Sequence, residues 1–325
     1  MSALQIDRGD LARFEEGLNP RTPETSVIPA RIIGYGEIST IFEIGLPTLE
    51  GYACKRMPIF RTSHEMDHYE ALYREYNRLL EEDIGIAVPA STSVRVMPRK
   101  GNMVVYAIQR KLPSASICNA VIRRLDDESA IALVLRILAE TEHVWRFNAS
   151  GGPVTIGFDG QISNWALRGY GGGEPPAIGS GTELFYFDTS TPLITRHGIE
   201  ELNPDLFLRS APSFLLWLIK WFFLEGVMTR YYDPHLITVD LIANFYKEQR
   251  PDLIPALVES ANNFFAADAR ALAVRPVTVK EVAAYYREDA LIWRLFLALR
   301  KFDRFLHERV LHKPYVFILP GTIRR

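Results

Sequence analysis

The tightest constraint on the fold is a change of hydrophobic period near Met57. Before it, "RIIGYGEISTIFEIG" and "YACKRM" alternate over short runs around the turn "LPTLEG", as half-buried strands do. After it, "SHEMDHYEALYREYNRLLEED" places Tyr69, Leu72, Tyr73, Tyr76, Leu79 and Leu80 at helical spacing. Two more strand-like pieces, "STSVRVMP" and "NMVVYAIQRKL", follow on either side of "RKG". This order builds a small antiparallel sheet that carries one main helix.

Beyond Pro113 the pattern turns helical. "ESAIALVLRILAETEHVWRF" predicts a long helix, and from about Pro204 onward nearly everything has helical spacing. Between them, "VTIGFDGQISNWAL" and "ELFYFDTSTPLI" are strand-like and flank the loop "RGYGGGEPPAIGSG". Residues 1–28 are polar and end in "NPRTPETSVIP", which predicts an N-terminal extension or linker. The expected division is therefore 1–28, a small part over 29–110, and a larger helical part over 111–325. The fold class is α+β. With 325 residues and 48% hydrophobic content, the chain can bury a large core.

Composition removes several function classes. A net charge of -2 and a pI near 6.4 leave no basic field for nucleic acid. Two cysteines, Cys54 and Cys118, are too few for a disulfide framework and suit a reducing cytoplasm. The N-terminus "MSALQIDRGDLARFEEG" lacks the apolar core of a signal peptide. The run "FLLWLIKWFFLEGVM", Phe214 to Met228, carries Lys220 and Glu225 and is short of the roughly 20 apolar residues a span needs. A buried helix is expected there, with Trp217, Trp221, Phe222 and Phe223 in a core, and no membrane span.

Five positions could carry chemistry. Gly34 and Gly36 bracket a turn followed by Ser39, and such a turn lets backbone N–H groups approach phosphates, although most G-x-G turns are only turns. Lys55 lies mid-strand and needs a partner if its face is buried; otherwise it is an edge lysine in water. Glu70 and Glu75 on the following helix are available partners. Asp159 and Asn164 stand five apart between apolar strands, where Asp-Gly also suits a hairpin turn. Asp188 ends an aromatic strand, either as a turn residue or, with a carboxamide nearby, as an oxygen ligand for Mg²⁺.

Taken in order, glycine turn, strand lysine, helix glutamate, Asp-x-x-x-x-Asn and a post-strand Asp resemble the parts of the protein-kinase-like superfamily. The likeness is closer to the aminoglycoside phosphotransferase and choline kinase branch than to protein kinases. It runs from about Ile32 to Ile194; the helical remainder is compatible but carries no motif. The resemblance implies a two-lobed fold and an ATP- and Mg²⁺-dependent transfer of phosphate to a hydroxyl of a small molecule. Gly34, Gly36 and Ser39 would then cover the ATP phosphates, and Lys55, paired with Glu75, would hold them. Asp159 would accept the hydroxyl proton, and Asn164 and Asp188 would hold Mg²⁺. The hinge from Ile108 to Leu112, with Gln109, would read adenine. Glu200, Glu201 and Asp205 are possible contacts for a cationic group on the acceptor.

The chain departs from the pattern in several places. Gly157 and Phe158 replace the usual His-Arg or His-Gly before Asp159, and Thr189 and Ser190 follow Asp188 in place of Phe-Gly. The gap from Asn164 to Asp188 is lengthened by the glycine-rich loop 168–181, and no Ala-Pro-Glu segment follows. These differences argue against a regulated protein kinase and leave a nucleotide-binding pseudokinase as the alternative. A zinc hydrolase is a further alternative, because "HEMDH", His64 to His68, fits H-E-x-x-H. Asp67 beside the second histidine and the missing Gly-x-x-His continuation weigh against it. "YYDPH" predicts a helix N-terminus capped by Asp233.

Overall fold

The computed structural model describes residues 4–36, 39–98, 103–209, 229–312, 315 and 317–319. The fold is α+β with antiparallel sheets. Strands β1 (Ala30–Tyr35), β2 (Thr40–Ile44), β3 (Tyr52–Phe60), β4 (Ser91–Val96) and β5 (Met103–Arg110) form one sheet in the order β1-β2-β3-β5-β4. β3 is thus the central strand, which removes the edge-strand reading of Lys55. Helix α2 (Ser63–Arg78) connects β3 to β4. It is capped by the Thr62 side chain, which accepts from Glu65 N at 3.2 Å.

The two faces of the sheet have separate cores because side chains alternate along each strand. Met57, Val105 and Ala107 face α2 and join a cluster that continues into the helical part of the chain. Cys54, Tyr106 and Ile108 face the other way and pack against Leu11 and Phe14 of α1 (Arg8–Gly17). The expected N-terminal extension is therefore a structural helix. Leu11 and Phe14 are fully buried, and each such side chain contributes about 1.5–3 kcal/mol. At the centre of this interface the buried Arg56 guanidinium pairs with Glu15 at 2.6 Å, and Tyr106 donates to Glu15 at 2.5 Å. The polarity that made residues 1–28 look like a linker hides two fully buried apolar side chains and this buried ion pair.

After β5 come α3 (Cys118–Val121) and α4 (Asp127–Ala149), then the short strands β6 (Val154–Ile156), β7 (Trp165–Leu167), β8 (Leu184–Tyr186), β9 (Ile194–Arg196) and β10 (Ile199–Glu200). α5 (Asp205–Leu208), α6 (Pro234–Lys247), α7 (Ile254–Ala267) and α8 (Val279–Phe305) follow. Asp233 caps α6 as expected, accepting from His235 N at 2.8 Å. α6 is the buried axis of this part: ten of its residues, from His235 to Phe245, are buried. The run Phe214–Met228, with its four aromatic residues, lies outside the described residues. Among the described residues no helix is long and apolar enough to cross a membrane. Cys54 and Cys118 are both free and buried, and burial pushes the Cys54 thiol up to about 12, so it is no nucleophile at neutral pH.

Candidate functional site

Lys55 sits between Ile41 on β2 and Ala107 on β5, on the sheet face that carries α2. Its side chain is 16% exposed, and its Nζ donates to Asp188 Oδ1 at 2.8 Å. Asp188 follows β8, which pairs with β7. Ser190 Oγ donates to the same carboxylate oxygen at 3.0 Å, and Tyr69 on α2 donates its hydroxyl to Ser190 O at 2.7 Å. The helix therefore fixes the loop that presents Asp188 to the lysine. Burial works to raise the Asp188 pKa, but Lys55 and Ser190 outweigh it and hold the carboxyl below its ordinary value.

Gly36 and Ser39, on either side of the glycine turn, lie beside the lysine. Gly36 N donates to Ser39 O at 3.0 Å. A Cβ on Gly36 would lie 2.5 Å from the rotatable Ser39 Oγ and in ordinary contact, 3.7 Å, with Lys55 Cε, so the backbone passes close to the lysine. A Cβ on Gly34 would meet Ile41 Cδ1 at 3.0 Å. Ser39 is 6% exposed and its Oγ has no hydrogen-bond partner among the described residues, which leaves an unused donor there. Gln109, near the end of β5, lies opposite Ser91 and Ala53.

Asp159 does not lie in a hairpin. β6 pairs with β9, whereas β7 pairs with β8, so residues 157–164 form a loop that crosses between two sheets. Phe158 anchors it among Tyr186, at 4.2 Å between ring centroids, and Trp165. Tyr76 on α2 donates to Gly157 O at 2.9 Å. The two glycines are sterically required: a Cβ on Gly157 would lie 2.8 Å from Leu193 Cβ, and one on Gly160 only 2.6 Å from Ile237 Cγ2. This accounts for Gly157 and Phe158 ahead of Asp159, since the loop is held by packing and backbone bonds. Asn164 Nδ2 donates to Asp159 O at 3.2 Å, and Phe187 N donates to Asn164 O at 3.0 Å, so the Asn164 backbone ties the loop to the residue before Asp188.

Burial, followed by the charges of Asp240 and Asp188, pushes the Asp159 carboxyl up to about 7. Asp240 on α6 is also raised, by burial first; Lys247 and Arg230 oppose the rise and Asp289 adds to it. Two carboxylates in one site are thus driven apart, with Asp188 ionised and Asp159 poised near neutrality. Two further residues hold the loop. Asn244 Oδ1 accepts from Ile162 N at 3.3 Å, and Asn244 Nδ2 donates to Asp240 O at 2.8 Å. Sequence reasoning missed Asp240 and Asn244. The available signal was two polar residues one turn apart inside the apolar run "LITVDLIANF".

The expected Lys55–Glu75 pair is not formed. Glu75 accepts from Arg196 on β9 at 2.5 Å, while Lys55 is taken by Asp188. Glu70, buried on the same helix, is paired with Arg95 on β4. Glu70 and Glu75 have each met a strand arginine whose position is visible only once the strands are paired. Glu200 accepts from the Tyr232 hydroxyl at 2.7 Å and Glu201 lies 3.5 Å from Arg196, so neither is a free contact for a cation.

The "HEMDH" segment is the first turns of α2. Glu65 accepts both guanidinium nitrogens of Arg209 at 2.7 Å, and this pairing holds its carboxyl at about 2, far too acidic for a general base. His64 and His68 are exposed, and the His68 ring lies 2.8 Å from Glu201 O. Among the described residues no group of three or more His, Cys, Asp or Glu is placed to hold a metal ion. A groove of about 840 Å³ lies elsewhere, at the β1–β2 edge between Arg31 and Pro47, and contains none of the residues above.

The chain belongs to a family of unknown function (DUF6206), whose model matches residues 25–304. That stretch includes every residue of the candidate site. No curated protein matches the chain.

Proposed function

We propose that this member of the DUF6206 family is a two-lobed, kinase-like phosphotransferase that moves the γ-phosphate of ATP to a hydroxyl of a small molecule. One observation carries the proposal: Lys55, beside Gly36, is paired with Asp188, whose loop is tied by a backbone bond to the loop of Asp159 and Asn164. The sheet with α1 and α2 is the nucleotide lobe, and the helices from α4 onward form the acceptor lobe.

The donor set suits Mg²⁺. Asn164 and Asp188 offer hard oxygen atoms, and this ion commonly takes only one or two side chains, completing its shell with water and phosphate oxygens. When bound, the metal neutralises charge on the β- and γ-phosphates. The unused Ser39 hydroxyl supplies a donor beside the phosphates. Lys55 leaves Asp188 to hold phosphate oxygens, which frees the Asp188 carboxylate for the metal. Backbone groups from Ile108 to Leu112, beside Gln109, read adenine.

Asp159 acts as the base. With a pKa near 7 it accepts the proton of the acceptor hydroxyl as that oxygen bonds to the γ-phosphorus and the bond to the β-phosphate oxygen breaks, releasing ADP. A base poised at the working pH is the more effective one, and the remaining catalysis is positioning and charge stabilisation.

The test is ATP turnover in the presence of Mg²⁺ together with thermal shift. Nucleotide and Mg²⁺ together should raise the melting temperature, and slow ATP hydrolysis should vanish in Asp159→Asn and Asp188→Ala. The absence of any shift counts against the proposal. The pairing of Glu75 with Arg196 instead of Lys55 favours a second reading, a nucleotide-binding regulator without turnover. A Mg²⁺-dependent thermal shift with no hydrolysis selects it.

A further inference from the structure

Helix α8 is anchored at two distant places. Near its start Val282 is fully buried, Tyr286 stacks on Tyr246 of α6 with ring centroids 4.7 Å apart, and Asp289 pairs with Lys247 at 3.0 Å. About 16 Å further along the axis, the buried Arg300 has different neighbours. Its guanidinium lies 5.1 Å from the centroid of the Phe317 ring, and the two residues line one void with Ser39, Thr40, Arg56 and Ile318. Just past the helix, Glu308 pairs with Arg21 at 2.5 Å. α8 therefore starts on the helical part and ends on the sheet.

The described residues that follow, Tyr315 and 317–319, close this end. Tyr315, Ile318 and Leu319 are buried. Phe317 packs against the cluster that runs into the helical part, whereas Ile318 belongs to the cluster of Leu11, Phe14 and Cys54 on the other face of the sheet. Two adjacent side chains thus plug two separate cores. None of the four residues lies in a helix or strand, and none makes a backbone–backbone hydrogen bond among the described residues, so side-chain packing holds them in place. α1 reaches the same outer core with a full helix and the Arg56–Glu15 ion pair.

We propose that Arg300, Phe317 and Ile318 form a clasp that locks the sheet onto the helical part, and that this clasp opens as a unit of its own while the helices stay folded. Closed, it holds the sheet that carries Lys55 at a fixed place relative to the loop of Asp159. Open, it releases the Ser39 side of the glycine turn and uncovers the end of the outer core. Cys54 lies in that core, two residues before Arg56 on the same face of β3, whereas Cys118 is buried in the other cluster. The two thiols therefore report separately on the clasp and on the helical part. The inference does not depend on the nucleotide reading.

The test is the reaction of the two thiols of the full chain with N-ethylmaleimide under native conditions, each followed by peptide mass spectrometry. Cys54 should react at least about tenfold faster than Cys118 and depend less steeply on urea, because local opening exposes less surface than unfolding. Phe317→Ala with Ile318→Ala should speed Cys54 at least about tenfold further, through the loss of two packed side chains. Leu257→Ala, on the buried face of α7, should speed Cys118 and leave Cys54 within about twofold, since the clasp opens with α7 still packed. The comparison of the two thiols in the unaltered chain checks the proposal without any variant. Cys54 reacting no faster than Cys118, with the same urea dependence, overturns it, because exposure then requires unfolding of the whole chain. Acceleration of Cys54 by Leu11→Ala but not by Phe317→Ala with Ile318→Ala also overturns it and assigns the opening to α1.

Discussion

Replacing Asp159 with Asn should stabilise the protein while abolishing its proposed activity. The carboxyl is driven from an ordinary 3.8 to about 7 by burial and by the Asp240 and Asp188 charges. The folded state therefore holds the proton more tightly than the unfolded chain does. The direction follows from linkage: below about pH 4 both states are protonated and the site costs nothing, whereas through the window up to about pH 7 ionising Asp159 costs progressively more stability. At about 1.36 kcal/mol per pH unit, the full cost above pH 7 is on the order of 4 kcal/mol. Asn keeps an acceptor for Gln161 N, now 3.2 Å from Asp159 Oδ1, and carries no charge. At roughly 2 °C per kcal/mol for a chain of this size, the variant should melt about 8 °C higher at pH 8 and level with the parent near pH 4. Asp240 shares the coupling, so these figures are upper bounds. Thermal unfolding of both proteins from pH 4 to pH 8 measures the gap. A gap that is flat across this range, or a variant that melts lower at pH 8, refutes the assignment of a raised, charge-crowded Asp159.

Other perturbations test the rest of the structure. Arg56→Met leaves the buried Glu15 without its cation and should cost about 3–5 kcal/mol by denaturant unfolding at pH 7. Burial opposes ionisation of Glu15, but Arg56 keeps its pKa below the ordinary 4.5, so the difference from the parent should shrink as pH falls through the folded value. Gly160→Ala forces a Cβ to within 2.6 Å of Ile237 Cγ2; it should cost about 1–3 kcal/mol and remove nucleotide turnover by shifting the Asp159 loop. His64→Ala and His68→Ala should leave turnover within twofold of the parent, about 0.4 kcal/mol or less. Glu75→Gln should reduce turnover far less than Lys55→Met, because Lys55 is held by Asp188 and Glu75 by Arg196.

Period changes and local turn chemistry were enough to find the sheet, the helix that follows it and the Asp233 cap. They also singled out Lys55 and Asp188, which the structure pairs, because a charged residue in an apolar run needs a partner; Asp159 and Asn164 stood out only through the family resemblance. They failed where a long-range partner decides the outcome. Glu75 has the spacing of a lysine partner, yet Arg196, far along the chain, reaches it first once β9 is placed. Residues 8–17 looked like a polar extension because only Leu11 and Phe14 are fully buried, and the carboxylate of Glu15 is matched by an arginine on β3 that local sequence cannot reveal. The Asp-Gly pair at Asp159 suggested a hairpin, but β6 and β7 each take a different partner. Asn244 and Asp240 were hidden for the opposite reason: on a helix buried all round, two polar residues are visible only as an interruption, and their role depends on the loop packed against them.

The central claim is that Lys55 and Asp188 together receive a nucleotide phosphate and its metal ion. Calorimetric titration with a non-hydrolysable ATP analogue, with and without Mg²⁺, measures it most directly. Binding should require Mg²⁺ and be lost in Asp188→Ala, while His64→Ala binds as the parent does. No heat at millimolar nucleotide, or binding that is indifferent to both Mg²⁺ and Asp188, contradicts the claim.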